Sequence, residues 1–116
     1  LDPAARRLVA LAERVGRDPA DGLIWDEATY DGRTRAQTKR IWPQCEALRA
    51  AVTLGDAPRA AALTEALFRH HLAATPGLWH ERLGPDRRPL PGVVPASSLY
   101  HLFGAAAAVE AHENSA

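Results

Sequence analysis

Apolar residues recur at helical spacing in four parts of the chain, and polar residues between them mark the helix ends. An aspartate followed by proline at 2–3 is typical of a helix start, and the apolar positions behind it, before a closing Gly16, are Leu8, Leu11 and Val15. A second stripe, with a proline near its start, consists of Ile41, Cys45, Leu48 and Val52. Asp56 and Pro58 open a third helix, which is expected to run to Thr75-Pro76 on a face of Leu63, Leu67 and Ala74. The pattern therefore predicts a mostly α-helical chain.

The fourth helix is predicted to begin near Ser97 or Ser98, either of which could cap it, and to run to about Glu113. Its expected apolar side consists of Leu99, Leu102, Phe103, Ala106 and Val109. This is the longest helix that the sequence predicts.

Two long irregular segments between the helices resemble each other. "GLIWDEATYDGRT" from Gly22 and "GLWHERLGPDRRP" from Gly77 share Gly-Leu, a Trp, a nearby Glu, and Asp before Arg, at an offset of about 55 residues. An Asp31-Gly32 turn signal indicates a hairpin inside the first segment. The chain is therefore predicted to be two units of helix, ribbon loop and helix. Units of this kind leave apolar surface open at their ends, which favours homo-oligomers through exposed helix faces or further sequence.

Composition narrows the possible partners. Lys plus Arg (14) balance Asp plus Glu (14), so no excess of positive charge favours nucleic acid or an anionic membrane. The single cysteine, Cys45, cannot form an intramolecular disulfide, and no apolar run approaches membrane-spanning length, so we expect a cytoplasmic protein. The chain contains no Met, even at position 1, and we therefore expect a segment of a longer protein.

Each ribbon loop leads into a helix whose first turns carry functional side chains, "RIWPQCEALRA" after the first and "PASSLYHLFGA" after the second. The parallel predicts that both helices begin at one shared place. Trp42 and Glu46 are four residues apart and so share a face, beside the apolar stripe. An indole next to a carboxylate suits a sugar, because the ring stacks on C–H groups while the carboxylate accepts hydroxyl hydrogens. Taken alone, packing plus a solvated charge is the better interpretation of this pair.

His101 falls at the third or fourth position of the fourth helix. An imidazole exchanges a proton near neutral pH, so it can take a proton from a carbon next to a carbonyl and return it. Gly104 leaves the same face without a side chain, which gives a ligand or another helix close access. From these features alone, a hydrogen-bonded structural histidine is the favoured interpretation.

The other histidines do not predict a metal site. His70 and His71 on the third helix and His80 in the second ribbon loop would have to converge with further elements, and there is no cysteine partner. We therefore predict no metal and no cofactor.

A non-catalytic alternative is that the chain is a helical-repeat binding module, of which "DAPRAAALTEALFRHHLA" would be one arm. Such repeats use short turns between helices, whereas the loops here run to about twenty residues and carry the aromatic residues. Loops of that kind are typical of functional sites.

The segments "RIWPQCEALRAA" and "GLWHERLGPDRRPLPGVVPASSLYHLFGA", with their spacing, resemble the C-terminal part of the N-acylglucosamine 2-epimerase family. That family includes mannose isomerases, cellobiose 2-epimerases and mannose-6-phosphate isomerase-like proteins. The resemblance covers most of the chain and implies an all-α fold of helical hairpins with ribbon loops. Residues 1–116 would then be one segment, the C-terminal portion of an (α/α)6 barrel whose loops and inner helix ends bind a small-molecule sugar.

The resemblance also implies roles for individual residues. His101, in "SSLYH", would be one of two acid–base histidines that move the proton at C1 or C2 through an enediolate. The second histidine, and an arginine near the substrate oxygen, would lie upstream of this sequence. Trp42 and Glu46 of "WPQCE" match sugar-contacting positions, and Trp79 of "GLWHE" is a weaker match. Disaccharide epimerases carry an aromatic residue where this chain has Ala96, so a monosaccharide isomerase or epimerase is favoured.

Overall fold

The computed structural model describes residues 2–73 and 76–115, which form helices joined by two small β-ribbons. The α-helices are α1 (Pro3–Gly16), α2 (Ile41–Leu54), α3 (Ala57–Ala66) and α4 (Ser97–Ser115), and α3 continues into a π-helical turn, Leu67–His71. The strands are β1 (Glu27–Ala28), β2 (Thr34–Ala36), β3 (Lys39–Arg40) and β4 (Arg82–Leu83). The predicted helical class with ribbon loops is confirmed.

The helix starts follow the capping residues in the sequence. The Asp2 carboxylate accepts the backbone N–H two residues on at 2.7 Å, and the Asp56 carboxylate accepts that of Arg59 at 3.1 Å. Pro43 lies in the first turn of α2, where it breaks no helical hydrogen bond. The predicted end of α3 differs, because the helix widens into the π-helical turn and stops at His71; the predicted positions Ala74 and Thr75 lie outside the described residues.

The two ribbon loops are built alike but pair differently. Their turns match, since Thr29 N–H donates to Arg33 O at 2.6 Å and Gly84 N–H donates to Arg88 O at 2.9 Å. The first ribbon pairs β1 with β2, which confirms the hairpin that the Asp31-Gly32 signal indicates. In the second, β4 pairs antiparallel with β3, the strand that runs directly into α2. The second loop is thereby attached to the start of α2.

The main hydrophobic core lies between α2, α3 and α4. It contains Ile41, Cys45, Leu48, Ala51, Leu63, Leu67 and Ala105. A smaller cluster under the ribbons contains Leu23, Ala66 and Leu83. Within the described part of the chain, the helices lack the combination of length and apolar character needed to cross a membrane.

The predicted apolar side of α4 is only partly correct. Leu102 and Val109 pack against the core, but Leu99 and Phe103 are 58% and 74% exposed, and the buried positions are Ser98 and Ala105. Small residues let α4 approach α2 closely, so the large apolar side chains point outward. This exposure is what the sequence predicts for an open end of a helical array. Oligomers through this face stay a prediction.

Lys39 is the largest fully buried side chain, and the sequence pattern does not predict its burial. Its Nζ donates to Asp18 Oδ2 and Asp21 Oδ2 at 2.6 Å each and lies 4.1 Å from the centroid of the Trp25 ring. A buried ammonium is tolerated only when it is paired and hydrogen-bonded. Burial works to raise the pKa of Asp18, but hydrogen bonds from Lys39 and the Ala20 N–H outweigh it and lower that pKa. Lys39 therefore holds the loop after α1 against β3.

The Gln44 side chain makes three hydrogen bonds, two of them to Ile24 in the loop before β1. Its buried side chain donates to Ile24 O at 2.8 Å and to Arg40 O at 2.9 Å, and it accepts Ile24 N–H at 2.7 Å. An amide offers a donor and an acceptor side by side, so it can satisfy both backbone groups of Ile24. The long loop before β1 is thereby fixed to α2.

His71 is fully buried at the end of the π-helical turn. Its Nδ1 donates to His80 O at 2.7 Å, while Nε2 has no partner among the described residues. A proton on Nε2 would therefore be buried without an acceptor. Burial accordingly lowers the pKa of His71 to about 4.

We expect this histidine to make the fold sensitive to acid. The unfolded chain binds a proton at His71 below the ordinary histidine pKa of 6.5, whereas the folded chain does so only near 4. Stability from this group is therefore complete above pH 6.5 and is lost as pH falls towards 4, by about 3 kcal/mol at about 1.4 kcal/mol per pH unit. Urea unfolding of the wild type and His71→Gln across this range measures the difference. His112→Gln, in the exposed tail of α4, is the control, and equal pH slopes for wild type and His71→Gln would contradict the assignment.

Candidate active site

The two helices that follow the ribbon loops begin at one place, as the sequence parallel predicts. Glu81, just before β4, connects their first turns. Its backbone oxygen accepts Ile41 N–H at 3.0 Å, and its Oε1 accepts Ser98 Oγ at 2.9 Å. The first residue of α2 and the second of α4 are thus bound to the same glutamate. Ser98, which the sequence suggested as a cap, uses its hydroxyl for this bond.

A cleft of about 670 Å³ opens between these helix starts and the second ribbon loop. Residues 90–95 form one wall. The side chains that matter for its chemistry are those of Arg40, Trp42, Trp79, Glu81, Arg82 and His101. Three of the four residues predicted for the site therefore line one cavity of a size suited to a small ligand. The fourth, Glu46, does not line the cleft but contacts His101.

His101 is held by α2 although it belongs to α4. Its Nδ1 lies 2.9 Å from Glu46 Oε1, and its ring centroid lies 5.7 Å from that of Trp42, at an interplanar angle of 39°. The Tyr100 ring meets it edge-on at 5.4 Å. An ionised carboxylate has no hydrogen to give, so Nδ1 is the donor and Nε2 carries the free lone pair. A partly exposed imidazole in that tautomer can accept a proton from a ligand in the cleft.

The Glu46 carboxylate is stabilised in its ionised form. Arg49 Nη1 donates to Oε1 at 3.2 Å and to Oε2 at 3.3 Å. Burial works to raise the pKa of Glu46, but hydrogen bonds from His101 and Arg49 outweigh it and hold that pKa below its usual value. The close access predicted at Gly104 is used by Arg49, whose Nη1 would lie 3.4 Å from an added Cβ. Glu46 thus contacts His101 and is not among the residues that line the cleft.

Trp79 borders the cleft, but its indole N–H already donates a hydrogen bond within the protein. Its Nε1 donates to Glu81 Oε2 at 3.0 Å, so the indole ring is what remains for a ligand. Glu81 itself is not predicted from the sequence. The available signal was the glutamate shared by the two copies of the repeat, but its role depends on Trp79 and Ser98, which the sequence alone could not connect to it.

The lone thiol adds no reactive group, and His80 is a second imidazole in the cleft lining. Burial raises the pKa of Cys45 to about 12, so this thiol is not a nucleophile near neutral pH. Across residues 2–73 and 76–115, no three His, Cys, Asp or Glu side chains are grouped so that they could hold a metal ion. The chemistry that the described residues offer is therefore acid–base chemistry, and His101 is the cleft histidine that a carboxylate orients.

Known proteins share this arrangement of helices and loops. The sequence profile of the N-acylglucosamine 2-epimerase (GlcNAc 2-epimerase) family matches residues 1–105. The chain belongs to this family. It is 30% identical to a mannose-6-phosphate isomerase from Rhizobium meliloti (strain 1021), in an alignment that covers 85% of the chain and 28% of that protein. It also matches the crystal structure of a D-mannose isomerase with a TM-score of 0.77 and 25% identity, over 92% of the chain and 30% of that structure. The chain thus spans less than a third of either relative.

We expect Glu81→Gln to destabilise the fold by about 1–2 kcal/mol. A glutamine can still accept from Trp79 and donate to Ser98 Oγ, but both hydrogen bonds are then to a neutral amide instead of a charged carboxylate, and each is weaker by about 0.5–1 kcal/mol. Urea unfolding measures the change, with Glu113→Gln in the exposed last turn of α4 as the control. Equal unfolding midpoints for the wild type and Glu81→Gln would show that the carboxylate does not stabilise the fold through Trp79 and Ser98.

Proposed function

We propose that this chain supplies part of the active site of a sugar isomerase or 2-epimerase, with His101 as one of its acid–base groups. The observation that carries the proposal is the hydrogen bond between His101 Nδ1 and Glu46, beside Trp42 at the edge of the cleft. In a member of the N-acylglucosamine 2-epimerase family, this geometry supports catalysis over a purely structural histidine.

The reaction requires a base next to a carbonyl. In the open-chain form of an aldose, His101 Nε2 would take the proton from C2, and the electron pair of that C–H bond would form the enediolate. Return of a proton to C1, with transfer of the O2 hydrogen to O1, gives the ketose, whereas return of a proton to the opposite face of C2 gives the epimer. Glu46 would stabilise the imidazolium that forms in between, since its carboxylate accepts a hydrogen bond from Nδ1–H. Glu46 then acts as a positioning residue for His101, and its predicted contact with sugar hydroxyls stays a prediction.

Stacking would hold the sugar in place. Trp42 lies next to His101, and Trp79 borders the same cleft, so their rings can pack on the C–H groups of a hexose. The names of the two relatives, a mannose-6-phosphate isomerase and a D-mannose isomerase, support a hexose of the mannose type. The substrate proposed is therefore a monosaccharide, and no cofactor is required for this chemistry.

We further propose how this chain fits into the full-length enzyme. Residues 1–116 would form the C-terminal portion of an (α/α)6 barrel, and the second acid–base histidine would come from an upstream segment. The open apolar faces of α4 support neighbouring helices on that side. A chain with one of two proton carriers is expected to be inactive alone, so activity is to be measured on the full-length enzyme.

In that enzyme, we expect His101→Ala to lower kcat by about 10²-fold or more, because one proton-transfer group is lost. Conversion of mannose and related hexoses, measured by sugar chromatography, tests this. His112→Ala, at the other end of α4, should leave kcat unchanged. Near-normal turnover by His101→Ala would remove this residue from the mechanism. An intact wild type that converts no hexose or hexose phosphate would instead favour the helical binding module.

Trp42→Ala should mainly raise KM, by about tenfold, if its ring stacks on the sugar, since the lost apolar contact amounts to about 1.5 kcal/mol. Steady-state kinetics separate KM from kcat, and a thermal melt by circular dichroism tests folding. The exposed Tyr30→Ala is the matched control for loss of an aromatic ring. A Trp42→Ala protein that simply unfolds would assign this tryptophan to packing.

A further inference from the structure

Two arginines face each other across the short β3–β4 ribbon. The antiparallel register pairs Arg40 with Arg82 and Lys39 with Leu83. Lys39 and Leu83 are fully buried, which fixes the inner face of the ribbon. Residues directly opposite in an antiparallel pair share a face, so both arginines lie on the outer one, and both line the cleft beside His101.

This pairing is unfavourable unless something negative joins it. Like charges directly opposite on two strands repel each other and destabilise the pair. Asp26 Oδ1 lies 3.3 Å from Arg40 Nε, but the same carboxylate also accepts Arg40 N–H at 2.8 Å and Thr38 Oγ1 at 2.6 Å. Arg82 forms no ion pair with any residue in 2–73 or 76–115. Asp26 therefore offsets only part of the charge of the pair.

The remaining surroundings of the cleft do not supply the missing negative charge. Glu81 is the one carboxylate among the described residues of its lining, and both its oxygens accept hydrogen bonds from Trp79 and Ser98. Neither α2 nor α4, whose starts border the cleft, has an acidic residue in its first turn. Helix starts are the positive ends of the helix dipole, so they add to the positive potential of the arginine pair.

Arg40 lies on the side of Trp42 towards which the far end of a sugar bound at His101 would extend. Arg40 Cζ lies 5.6 Å from the centroid of the Trp42 ring, which is 5.7 Å from that of His101. A hexose stacked on Trp42 with its C1–C2 end at His101 can extend its other end towards the arginines. Guanidinium groups bind phosphate oxygens in a bidentate way, and two of them match the charge of a phosphate monoester dianion.

We propose that Arg40 and Arg82 form a subsite for the phosphate of a sugar phosphate. The assignment of the sugar end rests on the proposed function, whereas the anion subsite itself rests on the arginine pair. Arg82 is the residue to change, since its side chain has no other partner in the described structure and Arg40 also contributes to the contact with Asp26.

The test compares hexose phosphate with free hexose in the full-length enzyme. We expect Arg82→Gln to lower the ratio of kcat/KM for mannose 6-phosphate to kcat/KM for mannose by about tenfold or more, the loss of one charge-assisted contact. Arg88→Gln is the matched control, because Arg88 is an exposed loop arginine paired with Asp86 and lies outside the cleft lining. A ratio unchanged by Arg82→Gln, or lowered equally by Arg88→Gln, would overturn the proposal.

Binding measured without turnover separates this proposal from the proposed function. Calorimetric titration of the wild type and Arg82→Gln with mannose 6-phosphate, mannose and glucuronate should give tight binding only for the phosphate, weakened by the substitution and by salt. Glucuronate that binds as tightly, with equal sensitivity to Arg82→Gln, would overturn the assignment to phosphate. Phosphate binding that depends on Arg82 in a protein that isomerises no sugar would support the subsite and refute the isomerase.

Discussion

The antiparallel pairing of Lys39–Arg40 with Arg82–Leu83 is the constraint on which the rest of the structure depends. α2 begins at the very next residue after β3, and Glu81, which precedes β4, is bonded to the starts of both α2 and α4. Two residues on each strand therefore fix the relative position of the two helices. This attachment and the core between α2 and α4 bring His101 to Glu46, although the residues are 55 positions apart in sequence.

The β3–β4 ribbon has only two residues on each strand, and hydrogen bonds of buried polar groups stabilise it. Lys39 is paired with two aspartates from the loop after α1, and Gln44 binds both backbone groups of Ile24. Under the second loop, His71 donates to His80 O while His80 N–H donates to His71 O. A small core that excludes water strengthens such hydrogen bonds, but any member left unpaired would be costly. These bonds hold the loops on which the cleft is built.

The sequence predicts the local features of this arrangement and misses those that depend on distant partners. Asp2, Asp56 and the Asp31-Gly32 turn act through neighbouring residues, so capping and turn rules place them correctly. The repeat predicts that two helix starts share a site, because equivalent loops lead to equivalent positions. The sequence pattern does not predict the burial of Lys39 or Ser98, because this burial depends on partners far away in sequence. The apolar pattern wrongly places Leu99 and Phe103 of α4 on the buried side, because α4 makes its close contact with α2 through small residues.

The central claim is that His101, oriented by Glu46, moves the proton at C2 of a sugar. The most direct measurement is proton NMR of mannose incubated in D₂O with the full-length enzyme or with its His101→Asn variant. We expect deuterium to appear at C2 with the wild type and His101→Asn to slow its appearance by about 10²-fold or more. Incorporation at the same rate with both proteins would contradict the claim and leave His101 as a structural residue at the edge of the cleft.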